Sequence, residues 1–143
     1  MEAMNRDMIN HRGPEFQDML LQNTERLKQV FQTSNDVLIL TGSGTGAMEA
    51  AVVNVLSPGD VVLSVSIGVF GDRLAQMAET FGASVIRLTS KWGTAADPEE
   101  IRSAIKENPA IKAVMVTHNE TSTGVTNDMA AISKVVKESD KLL

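Results

Sequence analysis

Along this chain the apolar residues keep changing their period, and each change marks a new element. From Pro14 to Phe31 the positions Phe16, Met19, Leu20, Leu27, Val30 and Phe31 share one helical face, and Pro14 suits a first turn, where a missing N–H costs nothing. Asp36 to Leu40 (DVLIL) is instead a short continuous apolar run, the pattern of a parallel-sheet strand covered on both faces. Met48, Ala51, Val52, Val55 and Leu56 return to helical spacing. A Ser-Pro-Gly-Asp turn at 57–60 then leads into a predicted strand, Val61 to Ser66. Phe70, Leu74, Met77, Ala78 and Phe81 predict a helix closed by Gly82. Ser84 to Leu88 predicts a strand, Pro98 to Glu107 a helix with Asp97 as its N-cap, and Ala113 to His118 another strand. A last helix, starting near Asn127 or Asp128, turns Met129, Ile132 and Val136 inward, and Lys141 to Leu143 (KLL) reads as the opening of one more strand.

Strands and helices alternating at this length need crossover connections, which predicts an α/β fold: a three-layer α/β/α arrangement around a mostly parallel sheet. No Gly/Ser-rich or Pro-rich linker divides the chain and no internal repeat is visible, so one domain is expected, with its sheet unfinished. With 43% hydrophobic and 22% charged residues in 143, the chain has enough apolar surface to bury a core. A net charge of −5 without any run of basic residues argues against a nucleic-acid surface. The absence of cysteine excludes disulfides, thiolate catalysis and cysteine-type zinc sites within this span, and His11 and His118 alone make no metal site. No apolar run approaches the roughly 18 residues that span a bilayer and no signal-peptide core is present, so the expectation is a cytoplasmic protein without a membrane partner.

In open α/β sheets ligands sit beyond the carboxyl ends of the strands, and three loops there are chemically unusual. The first, TGSGTGAME, crowds Gly42, Gly44 and Gly46 with Thr41, Ser43 and Thr45 at the start of a predicted helix. Free N–H groups and the positive end of the helix dipole favour a phosphate there over a turn that merely packs the helix. The second, SIGVFGDR, brackets Phe70 with Gly68 and Gly71; the ring either faces a ligand or packs with Leu74, Met77 and Phe81. The third, THNETSTG, places hydroxyls at 121, 122 and 123 beside Asn119 and Glu120, to orient a polar ring substituent or to satisfy the loop's own backbone. His118 reads as a structural histidine, and Trp92 as a plug at the edge of the core. Gly42, Gly44 and Ala47 match the dinucleotide fingerprint, but the next strand ends in serines rather than the acid that holds a ribose, and no Gly-Lys-Ser/Thr follows. A small cofactor with one phosphate and an aromatic ring suits the three loops better.

Five stretches in order and spacing carry a more specific likeness: NRDMINHRGPEF (5–16), LTGSGTGAMEAAVVNVLSPGD (40–60), GVFGDR (68–73), KWG (91–93) ahead of DPEEI (97–101), and THNETSTGV (117–125). Together they resemble the class V aminotransferases of the alanine–glyoxylate and serine–glyoxylate group, which are pyridoxal-phosphate (PLP) enzymes. The resemblance implies that Ser43, Gly44 and Thr45 bind the cofactor phosphate, that Phe70 stacks on the pyridine ring, and that Thr121 meets the phenolic-oxygen side of that ring. It also implies a small amino-acid donor such as alanine or serine, an oxo-acid acceptor such as glyoxylate, and a homodimeric parent protein.

PLP transamination further needs a Schiff-base lysine and an acid that keeps the ring nitrogen protonated. The resemblance puts both, and the small C-terminal domain, beyond Leu143. Residues 1–143 are therefore expected to be the first part of a large, cofactor-binding domain, inactive alone. The seven lysines present, at 28, 91, 106, 112, 134, 137 and 141, read as solvated rather than catalytic. Two alternatives remain: a non-catalytic or split-protein half completed by another chain, and a nucleotide-binding α/β half-domain.

Overall fold

A computed structural model describes every residue except Met1 and Arg6, so the stretch at 5–16 is seen without its Arg6. The chain forms two compact units, Met1–Gly42 and Ser43–Leu143. The first holds a short 3-10 turn, Glu2–Asn5, and helix α1, Pro14–Phe31, with the bounds that the apolar period predicts. α1 ends where Gln32 turns left-handed (φ 51°) and sends its N–H to the carbonyls of Lys28 and Gln29. On its apolar face Phe16 and Leu27 are half-buried, while Met19, Leu20, Val30 and Phe31 are exposed.

Two sequence expectations fail in detail. Asp36–Leu40 forms no strand, and Leu38 and Leu40 stay 80% and 75% exposed. An apolar run becomes a strand only through ladder bonds to a neighbour, and the strands that form here pair among themselves. Trp92 does not plug the core but is 56% exposed, because the chain leaves the sheet through a turn at Gly93 (φ +90°).

The second unit runs α2 (Gly44–Val55), β1 (Val61–Ser66), α3 (Val69–Thr80), β2 (Ser84–Thr89), α4 (Pro98–Glu107), β3 (Ile111–Val116), a short antiparallel ladder of β4 (Asn119–Glu120) with β5 (Val125–Thr126), and α5 (Met129–Glu138). The main sheet is parallel in the order β2-β1-β3, and Leu142 adds one parallel bridge to Ala113, the only ladder contact of the predicted KLL strand among the described residues. The period-2 alternation of β1 divides the core. Leu63, Val65 and Ile67 pack with Ile101 and Ile105 of α4 and Ile132 and Val136 of α5. Val62 points the other way, onto Val52 of α2 and Ala78 of α3. Helices thus cover both faces and the three-layer α/β/α expectation holds.

α3 approaches β1 unusually closely. Its buried residues are the small ones, Gly71, Ala75 and Ala78, and a Cβ on Gly71 would lie 2.8 Å from both Cα and Oγ of Ser66. Gly82 closes α3 in the left-handed region (φ +88°), where a side chain would be strained and would press on Pro58 at 3.1 Å. Gly71→Ala is therefore expected to lower the unfolding free energy by about 1–3 kcal/mol through overpacking. Gly46→Ala, where the nearest atom to a new Cβ is 3.9 Å away, should instead be neutral or stabilising by about 0.5–1 kcal/mol. Urea melts of the two variants against the parent chain read the difference.

Candidate functional site

The register Val65↔Val116 ends β1 and β3 side by side, so the loops after Ser66 and after Val116 leave the same rim of the sheet. Glu120 joins them. It is 1% exposed, and its carboxylate accepts four hydrogen bonds: from the N–H groups of Phe70 and Gly71 at 3.1 Å, and from Ser122 through its N–H at 3.1 Å and its hydroxyl at 2.6 Å. Ser122 Oγ in turn accepts the N–H of Val69 at 3.0 Å, and Thr123 Oγ1 donates to the carbonyl of Ile67 at 3.2 Å. The first three N–H groups of α3, which have no partner inside the helix, are thereby all satisfied by the third loop.

Local sequence explains why the cap comes from so far away. Gly68 stands at the N-cap of α3 without a side chain, and a Cβ there would lie 2.5 Å from Ser122 Oγ and 2.6 Å from Glu120 Cγ. Ser66 braces the turn from below, with Oγ 2.7 Å from Asp72 Oδ1 and 2.9 Å from the carbonyl of Gly68. Burial by itself pushes the Glu120 carboxyl up; the bonds from Ser122, Gly71 and Phe70 outweigh it and hold the group below its ordinary value.

The first loop is built differently. Ser43 caps α2, accepting the N–H of Gly46 at 3.3 Å, so its own O–H remains free to donate. The N–H groups of Gly44 and Thr45 have no partner among the described residues, α2 has no acid in its first turn, and space stands open where a Cβ on Gly42 or Gly44 would project. The loop makes no hydrogen bond to the other two among the described residues. α2 returns through the turn at 57–60 to the start of β1 and seats Val52 on Val62.

Of the sequence-predicted residues, Ser43, Gly44, Thr45 and Thr121 are exposed and Phe70 is half-buried. Phe70 and Thr121 are brought together by the Glu120 carboxylate, which adjoins both in the chain or by a bond. The guanidinium of Arg73 stands 5.1 Å from the Phe70 ring centroid, a cation–π contact. His118 is exposed and its carbonyl accepts the N–H of Asn127. Asn127, one of two N-cap candidates, is instead buried and bridges Ala96 N–H to the Thr117 carbonyl, while Asp128 caps α5. Sequence reasoning gave no role to the Glu120 carboxylate or to Ser66, and it read Ser122 as orienting a ring substituent or satisfying its own loop, whereas Ser122 bonds to Glu120 and to the N–H of Val69 in the second loop. The available signal was an acid directly after a buried strand in a chain with two glycines at a helix start, but which N–H groups it meets depends on the sheet order.

Among the described residues no group of three or more His, Asp or Glu is placed to hold a metal ion, and no helix is long and apolar enough to cross a membrane. Lys112 is paired with Asp60 at 2.6 Å and Lys141 Nζ reaches the Pro109 carbonyl at 2.9 Å, both at the opposite end of the strands.

Because the folded Glu120 carboxyl sits below its unfolded value, its stabilisation is present above about pH 4.3 and is lost as pH falls through the folded value. Glu120→Gln should cost about 1.5–3 kcal/mol at neutral pH. It should also flatten the acid limb of stability, which chemical denaturation between neutral and acid pH reads directly.

The chain matches the family model Aminotransferase class-V over residues 1–143. A soluble hydrogenase 42 kDa subunit from Anabaena cylindrica is 45% identical over 143 residues, covering 99% of this chain and 37% of that protein. The serine–glyoxylate aminotransferase of Methylorubrum extorquens is 39% identical over 139 residues, covering 95% and 35%. The crystal structure of an alanine–glyoxylate aminotransferase from Nostoc sp. superposes with a TM-score of 0.87 at 35% identity, over 99% of this chain and 38% of that one. This chain thus spans little more than a third of the length of the relatives it matches. With a full-length family match and the three-layer fold of its structural neighbours, the chain belongs to the class V aminotransferase family.

Proposed function

We propose that residues 1–143 are the first part of the cofactor-binding large domain of a PLP-dependent aminotransferase. The whole protein moves an amino group from a small amino acid, alanine or serine, to an oxo-acid such as glyoxylate, as a cytoplasmic homodimer. The reactive lysine, the acid that faces the ring nitrogen and the small domain are supplied by residues outside this chain. The observation that carries the reading is the open start of α2, which has two N–H groups unpartnered among the described residues, a free hydroxyl and no acid in its first turn.

The residues present fit the group. Ser43, Gly44 and Thr45 would hold the phosphate through N–H and hydroxyl donors at the positive end of α2. Phe70 would support the ring, and the exposed hydroxyl of Thr121 would donate to its phenolic oxygen. When bound, PLP supplies an electron-withdrawing ring that stabilises negative charge at the α-carbon of the amino acid. The hydrogenase name belongs to the Anabaena relative; this chain has no cysteine with which to ligate a redox metal.

Replacing Ser43 by Ala and Thr45 by Val together is expected to weaken binding of PLP to the chain roughly 10-fold or more, the loss of one or two donors to a charged group. NMR titration of the backbone amides measures it. An unchanged affinity would remove the phosphate role of the first loop. Borohydride treatment with PLP should leave no single lysine of the 143-residue chain stoichiometrically modified; one lysine taking the label one-to-one would overturn the placement of the reactive amine elsewhere.

A further inference from the structure

We propose that Glu120 is a positioning residue that locks the loop carrying Phe70 to the loop carrying Thr121, so that both ends of a bound ring are set by one buried carboxylate. The functional half of this inference rests on the PLP reading above; the mechanical half does not.

The geometry is a tie rather than a simple cap. A helix start is ordinarily satisfied by the side chain of its own N-cap residue, as Asp97 does for α4 and Asp128 for α5. A serine or aspartate at position 68 would satisfy an α3 donor from within the helix's own cap, with no long-range contact. Here that position is glycine, and the space its side chain would need is filled by Glu120 and Ser122, which lie 50 or more residues further along the chain.

Two of the four bonds to the carboxylate come from α3, at Phe70 itself and Gly71, and two from Ser122, the neighbour of Thr121. Ser122 spends its single hydroxyl proton on Glu120 while accepting from Val69, so it extends the same tie. The loop is closed on its far side by the N–H groups of Thr123 and Gly124, which bond to the Glu120 carbonyl at 3.3 and 2.9 Å. Phe70 and Thr121 thereby move as one body, whereas Ser43–Thr45 stands on another helix and is not part of it.

The test compares the 143-residue chain with its Glu120→Gln and Ser122→Ala variants, using amide hydrogen exchange and titrations with inorganic phosphate and with PLP. Gln keeps the shape of Glu120 but cannot accept from Ser122 with its amide group. In Glu120→Gln, exchange at Val69, Phe70 and Gly71 and across residues 121–124 should rise together by roughly tenfold relative to β1 and α5. Affinity for inorganic phosphate should hold while the preference for PLP over phosphate falls several-fold, a ratio that general destabilisation would not move.

Ser122→Ala, at an exposed position, should shift both readouts the same way by less, and it decides the matter if Glu120→Gln does not fold. The proposal is overturned if exchange rises only at 69–71, if it rises uniformly through the sheet, or if the PLP-to-phosphate ratio is unchanged in variants of a chain that shows one. A parent chain with no preference for PLP over phosphate would count against the cofactor reading instead. The paired exchange pattern alone would then decide the tie.

Discussion

A carboxylate taken out of water is costly unless donors surround it, and the rim of this sheet is organised around one such group. Glu120 is buried between two loops and receives four donors, three of them backbone N–H groups. Remove that arrangement and three N–H groups at the start of α3 lose their partners, the third loop loses its turn, and Gly68 no longer has a reason to be glycine. The close seating of α3 on β1 through Gly71 belongs to the same device, because the helix start can reach Glu120 only if it lies low on the sheet.

The same bonds sort the helix starts by charge. α3, α4 and α5 begin against carboxylates, from Glu120, Asp97 and Asp128, each of which occupies the positive end of its helix. α2 begins against the neutral hydroxyl of Ser43. An anion meeting these four starts finds three already neutralised and repelling, and one with free N–H donors. The phosphate site proposed at the first loop therefore rests as much on what closes α3, α4 and α5 as on its own glycines.

Much of this was legible from the chain alone. The 3.6-residue period located α1 with its observed bounds, the cap at Asp97 was correct to the residue, the strand read at Val61–Ser66 is β1, and that read at Ala113–His118 is β3 two residues late. The failures have a common cause. Asp36–Leu40 has the composition of a strand, yet a ladder needs a partner edge, which composition does not contain; Trp92 has the size of a core residue but sits in a turn that carries it outward.

The candidate site divides in the same way. Glycine and hydroxyl crowding at 42–46 marks an open helix start by local chemistry, since N–H groups and capping hydroxyls lie within a few residues of one another. The role of Glu120 had no such local signature. Its partners at 69–71 are brought to it by the parallel pairing of β1 with β3, a contact between residues some fifty positions apart. Sequence alone determined the helices and which helix start leaves N–H groups free, because those are short-range properties of the backbone and its neighbours. Only the tertiary structure decided which donors at the start of α3 are taken, because Glu120 and Ser122 reach them through the pairing of β1 with β3.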